Sequence, residues 1–303
     1  PLIIEKIYKN SIVPTIKKSR ILTWMNEHMN WVMCKIIGMK LSSTFGGHLS
    51  FFGVGGSKLD PDIEAFLLKA GFPYAIGYGI TECSPLLSQS VGKIRVAGSI
   101  GYPVKGVEMK LDNINPETGE GEILAKGPNV MLGYYKDPMR TINAFTEDGW
   151  YRTNDLGCMD EKGRYYIKGR LNNMILGPSG ENIYPEEIEK VINDIEGVTE
   201  SIVLERDGRL VALVQFDDNI IDWDHEGEDE FFDKLEARRE AILSYVNKKV
   251  SKFSKVNHVD VMKEPFEKTA TQKIRRFKYK DKAPVVEIPK KDQKKEEEKK
   301  EEK

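Results

Sequence analysis

Two short apolar runs with a capped helix between them define the fold class of this chain. The runs cover residues 49–54 and 74–79 and read as buried strands. Between them the pattern predicts a helix over residues 61–69, with Pro61 in its first turn and Gly71 closing it. A strand–helix–strand order is typical of a parallel α/β sheet, in which ligands bind at the carboxyl ends of the strands.

The remainder divides into a β-rich region and a small α+β domain. From Gly98 to Asp155, alternating strands separated by turn residues predict an antiparallel or barrel-like subdomain. Residues 170–280 combine two apolar strands with two amphipathic helices, one beginning at Pro185. We therefore predict the latter part of a large α/β domain, a small α+β domain and a charged tail, over residues 1–169, 170–281 and 282–303.

The composition is that of an ordinary globular protein and argues against several classes of function. Hydrophobic residues make up 40% of the 303 residues, and the formal net charge of −2 gives no general attraction to nucleic acid. Cys34, Cys83 and Cys158 lie far apart, which favours a reducing cytoplasm over a disulfide framework. No apolar run reaches the roughly 18 residues of a membrane-spanning helix, so we expect any membrane contact to be peripheral. The chain begins at Pro1 without Met, and we expect it to be a piece of a longer protein.

The segment from Gly77 to Pro85 places a hydroxyl beside a carboxylate directly after a buried strand. Thr81 is suited to donate to a phosphate oxygen, and Glu82 is suited to Mg²⁺, which prefers oxygen ligands. The glycines, Gly79 among them, permit close approach of the backbone to a nucleotide. On these residues alone, an ordinary strand–turn is an equally good interpretation.

Three later segments carry polar groups suited to a nucleotide. Asp155 follows an aromatic strand, where a carboxylate accepts hydrogen bonds from both ribose hydroxyls. Arg170 lies at the junction with the small domain and is suited to bind a sugar or phosphate. Lys273, on a loop of small polar residues, offers a point charge for phosphate. Each segment alone also fits a plain alternative: a turn, a linker and a basic surface patch.

Taken in order, these segments resemble the adenylate-forming superfamily of acyl-CoA synthetases, luciferases and nonribosomal peptide synthetase adenylation domains. Its Tyr-Gly-x-Thr-Glu motif matches Tyr78–Glu82, and its Tyr-Arg-Thr-Gly-Asp motif matches Tyr151–Asp155 with Asn154 in place of glycine. Its Gly-Arg hinge motif matches Gly169-Arg170, and its late lysine motif matches Lys268–Arg276 with Gln272 in place of glycine. Gly55-Gly56-Ser57 resembles its adenine-contacting segment. The likeness looks greatest to bacterial long-chain fatty acid–CoA ligases.

The resemblance implies a role for each matching residue. Thr81 would contact phosphate, Glu82 would bind Mg²⁺, and Tyr78 would lie against adenine. Asp155 would hold the ribose hydroxyls with Arg170 alongside, and Lys273 would bridge the acyl carboxylate and the α-phosphate. The small domain would rotate as a mobile lid, bringing Ser179 and Gly180 to face coenzyme A.

The implied activity is ATP-dependent formation of acyl-CoA from a long-chain fatty acid, with Mg²⁺ and coenzyme A required. Two alternatives stay open: adenylation of an aryl, short-chain or amino acid, and a non-catalytic adenylate-binding module. The family's Ser/Thr/Gly-rich phosphate loop is not found in residues 1–54, which lack its run of hydroxyl residues. We therefore predict that this chain alone does not make acyl-CoA, and that an amino-terminal part of the same protein completes the site.

Overall fold

The structure is a computed structural model, and it describes residues 7, 11, 14, 30–56, 58–177, 180–217, 219–221, 223, 229–269, 273–281 and 285–286. The chain forms two compact units, Pro1–Leu171 and Asn172–Lys303. This division falls two residues beyond the one predicted at 169/170. Most of residues 1–29, the residues Ser57 and Ser179, and the tail from residue 287 onward lie outside the described residues.

The first sheet of unit 1 is mixed. It has the order β1 (Phe52–Val54), β2 (Tyr74–Gly79), β3 (Leu86–Ser90) and β4 (Tyr102–Pro103). Strands β1 and β2 are parallel, as predicted, while β3 and β4 each pair antiparallel to the strand before. Helix α1 (Asn30–Thr44) precedes this sheet in the chain, and α2 (Pro61–Ala70) connects β1 to β2.

Helix α2 shows why the local sequence signals were reliable here. The Asp60 side chain accepts hydrogen bonds from the amides of Asp62 and Ile63, and Gly71 ends the helix in the left-handed conformation, with φ of 71°. Its apolar residues pack into a core with α1 and β2. One acidic residue, Glu64, is also buried, and it accepts hydrogen bonds from the Tyr74 hydroxyl (3.1 Å) and the Gly98 amide (2.7 Å).

The β-rich region predicted over Gly98–Asp155 forms most of the second sheet of unit 1, which is antiparallel and extends to Arg170. This sheet contains β5 (Glu108–Asp112), β6 (Gly121–Lys126), β7 (Tyr151–Met159) and β8 (Tyr165–Arg170), paired in sequence order. The short helix α3 (Pro138–Asn143) lies between β6 and β7. Its core includes the fully buried Ile123 and Ala125 and is continuous with Tyr78 of β2.

Unit 2 is the predicted small α+β domain. The hairpin of β11 (Val198–Arg206) and β12 (Arg209–Phe216) is extended by the parallel strand β13 (His258–Val261). Helices α4 (Pro185–Asn193) and α5 (Asp229–Lys249) pack on one face of this sheet. A second apolar cluster, which includes Met262, Phe266 and Tyr279, covers the other face. Because both faces are covered, the central residues of β11 and β12 are apolar on both faces.

The predicted helix beginning at Pro185 ends at Asn193, and a turn leads to Gly197. A two-stranded ribbon, β9 (Ile175–Leu176) and β10 (Asn182–Ile183), precedes it. Among the described residues, no helix is both long enough and apolar enough to cross a membrane.

Candidate functional site

The carboxyl ends of β1 and β2 bring two of the predicted segments to one edge of the first sheet. Val54 pairs with Ile76 in parallel register, so Gly55-Gly56 and the segment from Tyr78 to Glu82 leave the sheet side by side. A Cβ atom on Gly55 would lie 3.3 Å from the Gly77 carbonyl oxygen, and Gly56 has φ of +82°. Gly55 therefore permits a close approach between neighbouring backbones, and Gly56 supplies a left-handed conformation that favours glycine.

The segment after β2 is a tight turn with a strict requirement for glycine at its start. A Cβ atom on Gly79 would lie 1.8 Å from the carbonyl oxygen of Pro85, a distance that no side chain tolerates. The turn closes through a hydrogen bond from the Ile80 amide to the same carbonyl (2.8 Å). Thr81 opens a short 3-10 helix and is exposed, whereas Glu82 is half-buried. The hydroxyl and the carboxylate are thus presented on a rigid loop.

Asp155 is the most completely positioned of the predicted groups. It is 4% exposed, its Oδ2 accepts a hydrogen bond from the Tyr78 hydroxyl (2.8 Å), and its Oδ1 pairs with Arg170 Nε (3.0 Å). Asp155 and Arg170 are also direct cross-strand neighbours on β7 and β8. A buried carboxylate held by two donors has a fixed orientation, as recognition of a diol requires.

Tyr78 has a role that sequence reasoning did not foresee. Its ring is 8% exposed and belongs to the core of unit 1, so its hydroxyl reaches Asp155 from within the protein. Burial, and then the adjacent charge of Asp155, raise the pKa of Tyr78 well above its ordinary value. The hydroxyl therefore stays protonated and donates to the carboxylate. Contact of Tyr78 with adenine stays a prediction.

Asn154 replaces the glycine of the family motif, and its backbone shows what the position demands. Its φ is +57°, in the left-handed region that glycine adopts freely and that asparagine tolerates better than most residues. The amide of Leu171 donates to its carbonyl (2.9 Å). The substitution therefore preserves the local turn that leads into Asp155.

Two residues that sequence reasoning missed hold the turn after β2. Asn129 Nδ2 donates to the carbonyls of Cys83 (2.7 Å) and Leu86 (2.9 Å), and the Tyr134 hydroxyl donates to Glu82 Oε1 (3.0 Å). Both lie in the connection between β6 and α3, more than 40 residues away along the chain. Nothing local in the sequence indicated what Asn129 or Tyr134 contacts.

Lys273 belongs to unit 2, where it is hydrogen-bonded to Thr269. The Thr269 amide donates to the Lys273 carbonyl (2.8 Å), and the Lys273 amide donates to the Thr269 hydroxyl (3.2 Å). An isolated bridge also pairs Lys268 with Ile274. The Lys273 side chain is exposed. Gly180, also in unit 2, follows β9 with φ of +85°.

Two ion pairs connect Lys268 and Arg276, on either side of Lys273, to the rest of unit 2. Lys268 Nζ lies 2.7 Å from Glu200 of β11. Arg276 forms a bidentate ion pair with Glu189 of α4. Its Nη1 lies 2.6 Å from Glu189 Oε1, and its Nη2 contacts Oε2. Glu189 is 7% exposed and its Oε1 also accepts a hydrogen bond from the Val203 amide. Two ion pairs that sequence reasoning did not identify therefore hold the residues that flank Lys273.

The side-chain oxygens at this site suit a metal ion that takes most of its ligands from a nucleotide and water. Within the described ranges, no group of three or more acidic, histidine or cysteine side chains is placed to hold a metal ion. Glu82 is a single half-buried carboxylate whose Oε1 is oriented by Tyr134. Mg²⁺ in nucleotide sites characteristically takes one or two carboxylates, with phosphates and water as the other ligands. Glu82 is the residue that would hold it.

Unit 1 thus combines a strand-edge glycine turn, an adjacent hydroxyl and carboxylate at Thr81 and Glu82, and the buried carboxylate of Asp155. The family model for AMP-binding enzymes matches residues 11–135. The chain is similar to this family over that stretch, which is less than half of its length.

Curated relatives include ligases for several acids. The chain is 28% identical over 299 residues to the probable acyl-activating enzyme 16, chloroplastic, of Arabidopsis thaliana, covering 87% of this chain and 40% of that protein. It is 46% identical over 129 residues to a long-chain-fatty-acid–CoA ligase of Escherichia coli O6:H1, covering 41% of this chain and 23% of that protein. It is 37% identical over 169 residues to a 2-succinylbenzoate–CoA ligase of Enterococcus faecalis, covering 54% and 33%. The chain therefore spans well under half of these relatives.

Solved structures agree with the fold. ATP-bound MatB from Rhodopseudomonas palustris aligns with a TM-score of 0.61 at 27% identity, covering 83% of this chain and 50% of that chain. O-succinylbenzoate CoA synthetase from Bacillus subtilis in complex with the acyl-adenylate intermediate aligns with a TM-score of 0.64 at 24% identity, covering 82% and 51%. The latter likeness supports the fold alone.

Proposed function

We propose that this chain is the carboxyl-terminal portion of an enzyme that joins a carboxylic acid to coenzyme A at the expense of ATP. The carboxylate oxygen of the acid attacks the α-phosphorus of ATP, the bond to pyrophosphate breaks, and an acyl-AMP forms. The coenzyme A thiolate then attacks the acyl carbonyl, and AMP leaves. The observation that carries the proposal is Asp155, buried and held by Tyr78 and Arg170.

The residues of unit 1 account for binding and orientation of the nucleotide. Asp155 would accept hydrogen bonds from the two ribose hydroxyls. These would replace part of its ion pair with the half-exposed Arg170. The exposed Thr81 hydroxyl would donate to a phosphate oxygen. Magnesium held at Glu82 would neutralise charge that builds on the phosphates.

Lys273 would supply the positive charge that the first step needs. The exposed Lys273 side chain stands on a backbone that is hydrogen-bonded to Thr269, which suits contact with an incoming acid and the α-phosphate. In the second step the lid would rotate and bring the segment at Gly180 toward coenzyme A. A hinge at the division after Leu171 needs torsional freedom more than a specific charge.

A long-chain fatty acid is the proposed substrate. The highest identity among the relatives above, 46%, is to a long-chain-fatty-acid–CoA ligase, and it covers 129 residues. A cyclic or aryl acid is the second candidate, because the 2-succinylbenzoate ligase is 37% identical over a longer stretch of 169 residues.

The proposal is tested with the complete gene product that contains this chain. Fatty acids of graded length, 2-succinylbenzoate, acetate and several amino acids are each supplied with ATP, Mg²⁺ and coenzyme A, and AMP and thioester are measured. We expect thioester from long-chain acids and little from the others. Thioester from 2-succinylbenzoate alone would replace the substrate class, and AMP from no acid would support a non-catalytic module. The 303-residue chain alone should produce neither product.

Lys273→Ala provides the residue-level test. Loss of an oriented charge at the transition state slows acyl-AMP formation by about 10²–10³-fold, while binding of ATP, which depends on unit 1, changes little. Lys280→Ala removes an exposed lysine from the same unit and serves as the matched control. An unchanged adenylation rate in Lys273→Ala would reject the role of this lysine.

A further inference from the structure

The segment between β6 and α3 makes four hydrogen bonds to the turn that carries Thr81 and Glu82. Asn129 Nδ2 donates to the Cys83 and Leu86 carbonyls, the Met131 amide donates to the Glu82 carbonyl (2.8 Å), and the Tyr134 hydroxyl donates to Glu82 Oε1. The first three contacts fix the backbone of the turn. Only the contact from Tyr134 acts on a side chain with a proposed role in chemistry.

Tyr134 is itself firmly positioned. Its amide donates to the Thr141 hydroxyl (2.8 Å), and the Arg140 guanidinium lies 3.9 Å from the centre of its ring. Burial, followed by hydrogen bonding to Tyr134, raises the pKa of the neighbouring Tyr151, whose ring belongs to the buried core. A phenol anchored at its amide and its ring has little freedom, so the oxygen it contacts is held in one direction.

The geometry points to Tyr134 as the residue that positions Glu82 for its metal. Tyr134 donates to Oε1, and Oε2 accepts no hydrogen bond from the part of the chain that the structure describes. When one carboxylate oxygen is held by a hydrogen bond, the side chain is already ordered before the cation binds. Little side-chain entropy is then lost when the other oxygen binds the cation. This inference rests on the proposed function of Glu82, and Tyr134 acts through Glu82 rather than on the substrate.

Tyr134→Phe removes the hydroxyl while keeping the ring beside Arg140. Loss of a partner that orients a metal ligand weakens metal binding by about tenfold. Tyr135→Phe is the matched control, because the adjacent tyrosine is 88% exposed. The measurement is binding of Mn²⁺, as a spectroscopic substitute for Mg²⁺, to the complete protein saturated with ATP, followed by electron paramagnetic resonance.

We expect the affinity for Mn²⁺ to be about tenfold lower in Tyr134→Phe and unchanged in Tyr135→Phe. Adding Tyr134→Phe to Glu82→Gln should lower the affinity no further than Glu82→Gln alone. Equal affinities in Tyr134→Phe and the wild type, with a loss in Glu82→Gln, would overturn the inference and leave the proposed function intact. If Glu82→Gln also binds Mn²⁺ like the wild type, the proposed role of Glu82 fails instead. A melting temperature within a few degrees of the wild type, as expected for one hydrogen bond in a domain of this size, separates a positioning role from loss of fold.

Discussion

Replacing Arg276 with Met would leave the buried Glu189 carboxylate without its partner. In the native protein Arg276 contacts both oxygens of this carboxylate, and the Val203 amide contacts one of them. The Glu189 side chain is 9% exposed and that of Arg276 is 19% exposed. Burial raises the pKa of Glu189, and the guanidinium opposes that effect.

Removing one member of a buried pair costs about 3–5 kcal/mol, because the remaining charge is buried and uncompensated. Since Arg276 keeps some contact with solvent, we expect a loss near the lower end, about 3 kcal/mol in the free energy of unfolding of unit 2. The double variant Glu189→Leu/Arg276→Met removes the stranded charge and leaves one unsatisfied amide at Val203, which costs about 1–3 kcal/mol. It should therefore be no less stable than the single variant.

Hydrogen exchange of peptides from β11 and β12 measures this loss within unit 2 alone. A loss of about 3 kcal/mol corresponds to exchange that is faster by about 10²-fold. Arg275→Met, in an exposed neighbour, should change it little. The raised pKa of Glu189 stabilises the folded state below the pKa of the unfolded state, and this effect is lost as pH rises through the folded pKa. The loss of stability in Arg276→Met should therefore become smaller toward acidic pH. A loss below about 1 kcal/mol at neutral pH would refute the assignment of a buried, compensated charge.

Two further predictions concern unit 1. Gly79→Ala places a Cβ atom 1.8 Å from the Pro85 carbonyl oxygen, so it should lower the free energy of unfolding by about 1–3 kcal/mol. Calorimetry should also show that the variant no longer binds AMP. Gly53→Ala is the control, because its Cβ atom would contact only the Phe51 side chain, and it should change neither property. AMP binding that survives Gly79→Ala would contradict the rigid turn. Burial raises the pKa of Cys83 to about 12, so at pH 8 mass spectrometry should find iodoacetamide on the partly exposed Cys158 and on Cys83 only after urea. As pH rises from 9 toward 12, the buried Cys83 thiol contributes less to the stability of the fold, so labelling of Cys83 should become easier. Equal labelling rates for Cys83 and Cys158 at pH 8 would contradict the burial of Cys83.

Features set by neighbouring residues were predictable from the sequence. Helix α2 was predicted from Pro61 and Gly71, residues that act within a few positions of themselves. The strands of the β-rich region followed from alternation, a property of the strand itself. The candidate site residues came from spacing and family resemblance, and the structure places eight of them in unit 1 and Lys273 and Gly180 in unit 2.

Contacts made across long stretches of chain were not predictable. Tyr134 reaches Glu82 across 52 positions, and Arg276 reaches Glu189 across 87. Neither residue carries a local signal, because a tyrosine after glycine and an arginine in a basic segment are ordinary surface patterns. The buried hydroxyl of Tyr78 was likewise missed, since its partner Asp155 is 77 residues away and lies in another sheet.

The central claim is that the protein containing this chain activates a carboxylic acid through an acyl-adenylate. Acid-dependent exchange of labelled pyrophosphate into ATP measures that step without coenzyme A. We predict exchange in the complete protein with a long-chain fatty acid, and its loss in Lys273→Ala and in Asp155→Ala. Exchange that is absent with every acid tested, in a protein that still binds ATP, would contradict the claim.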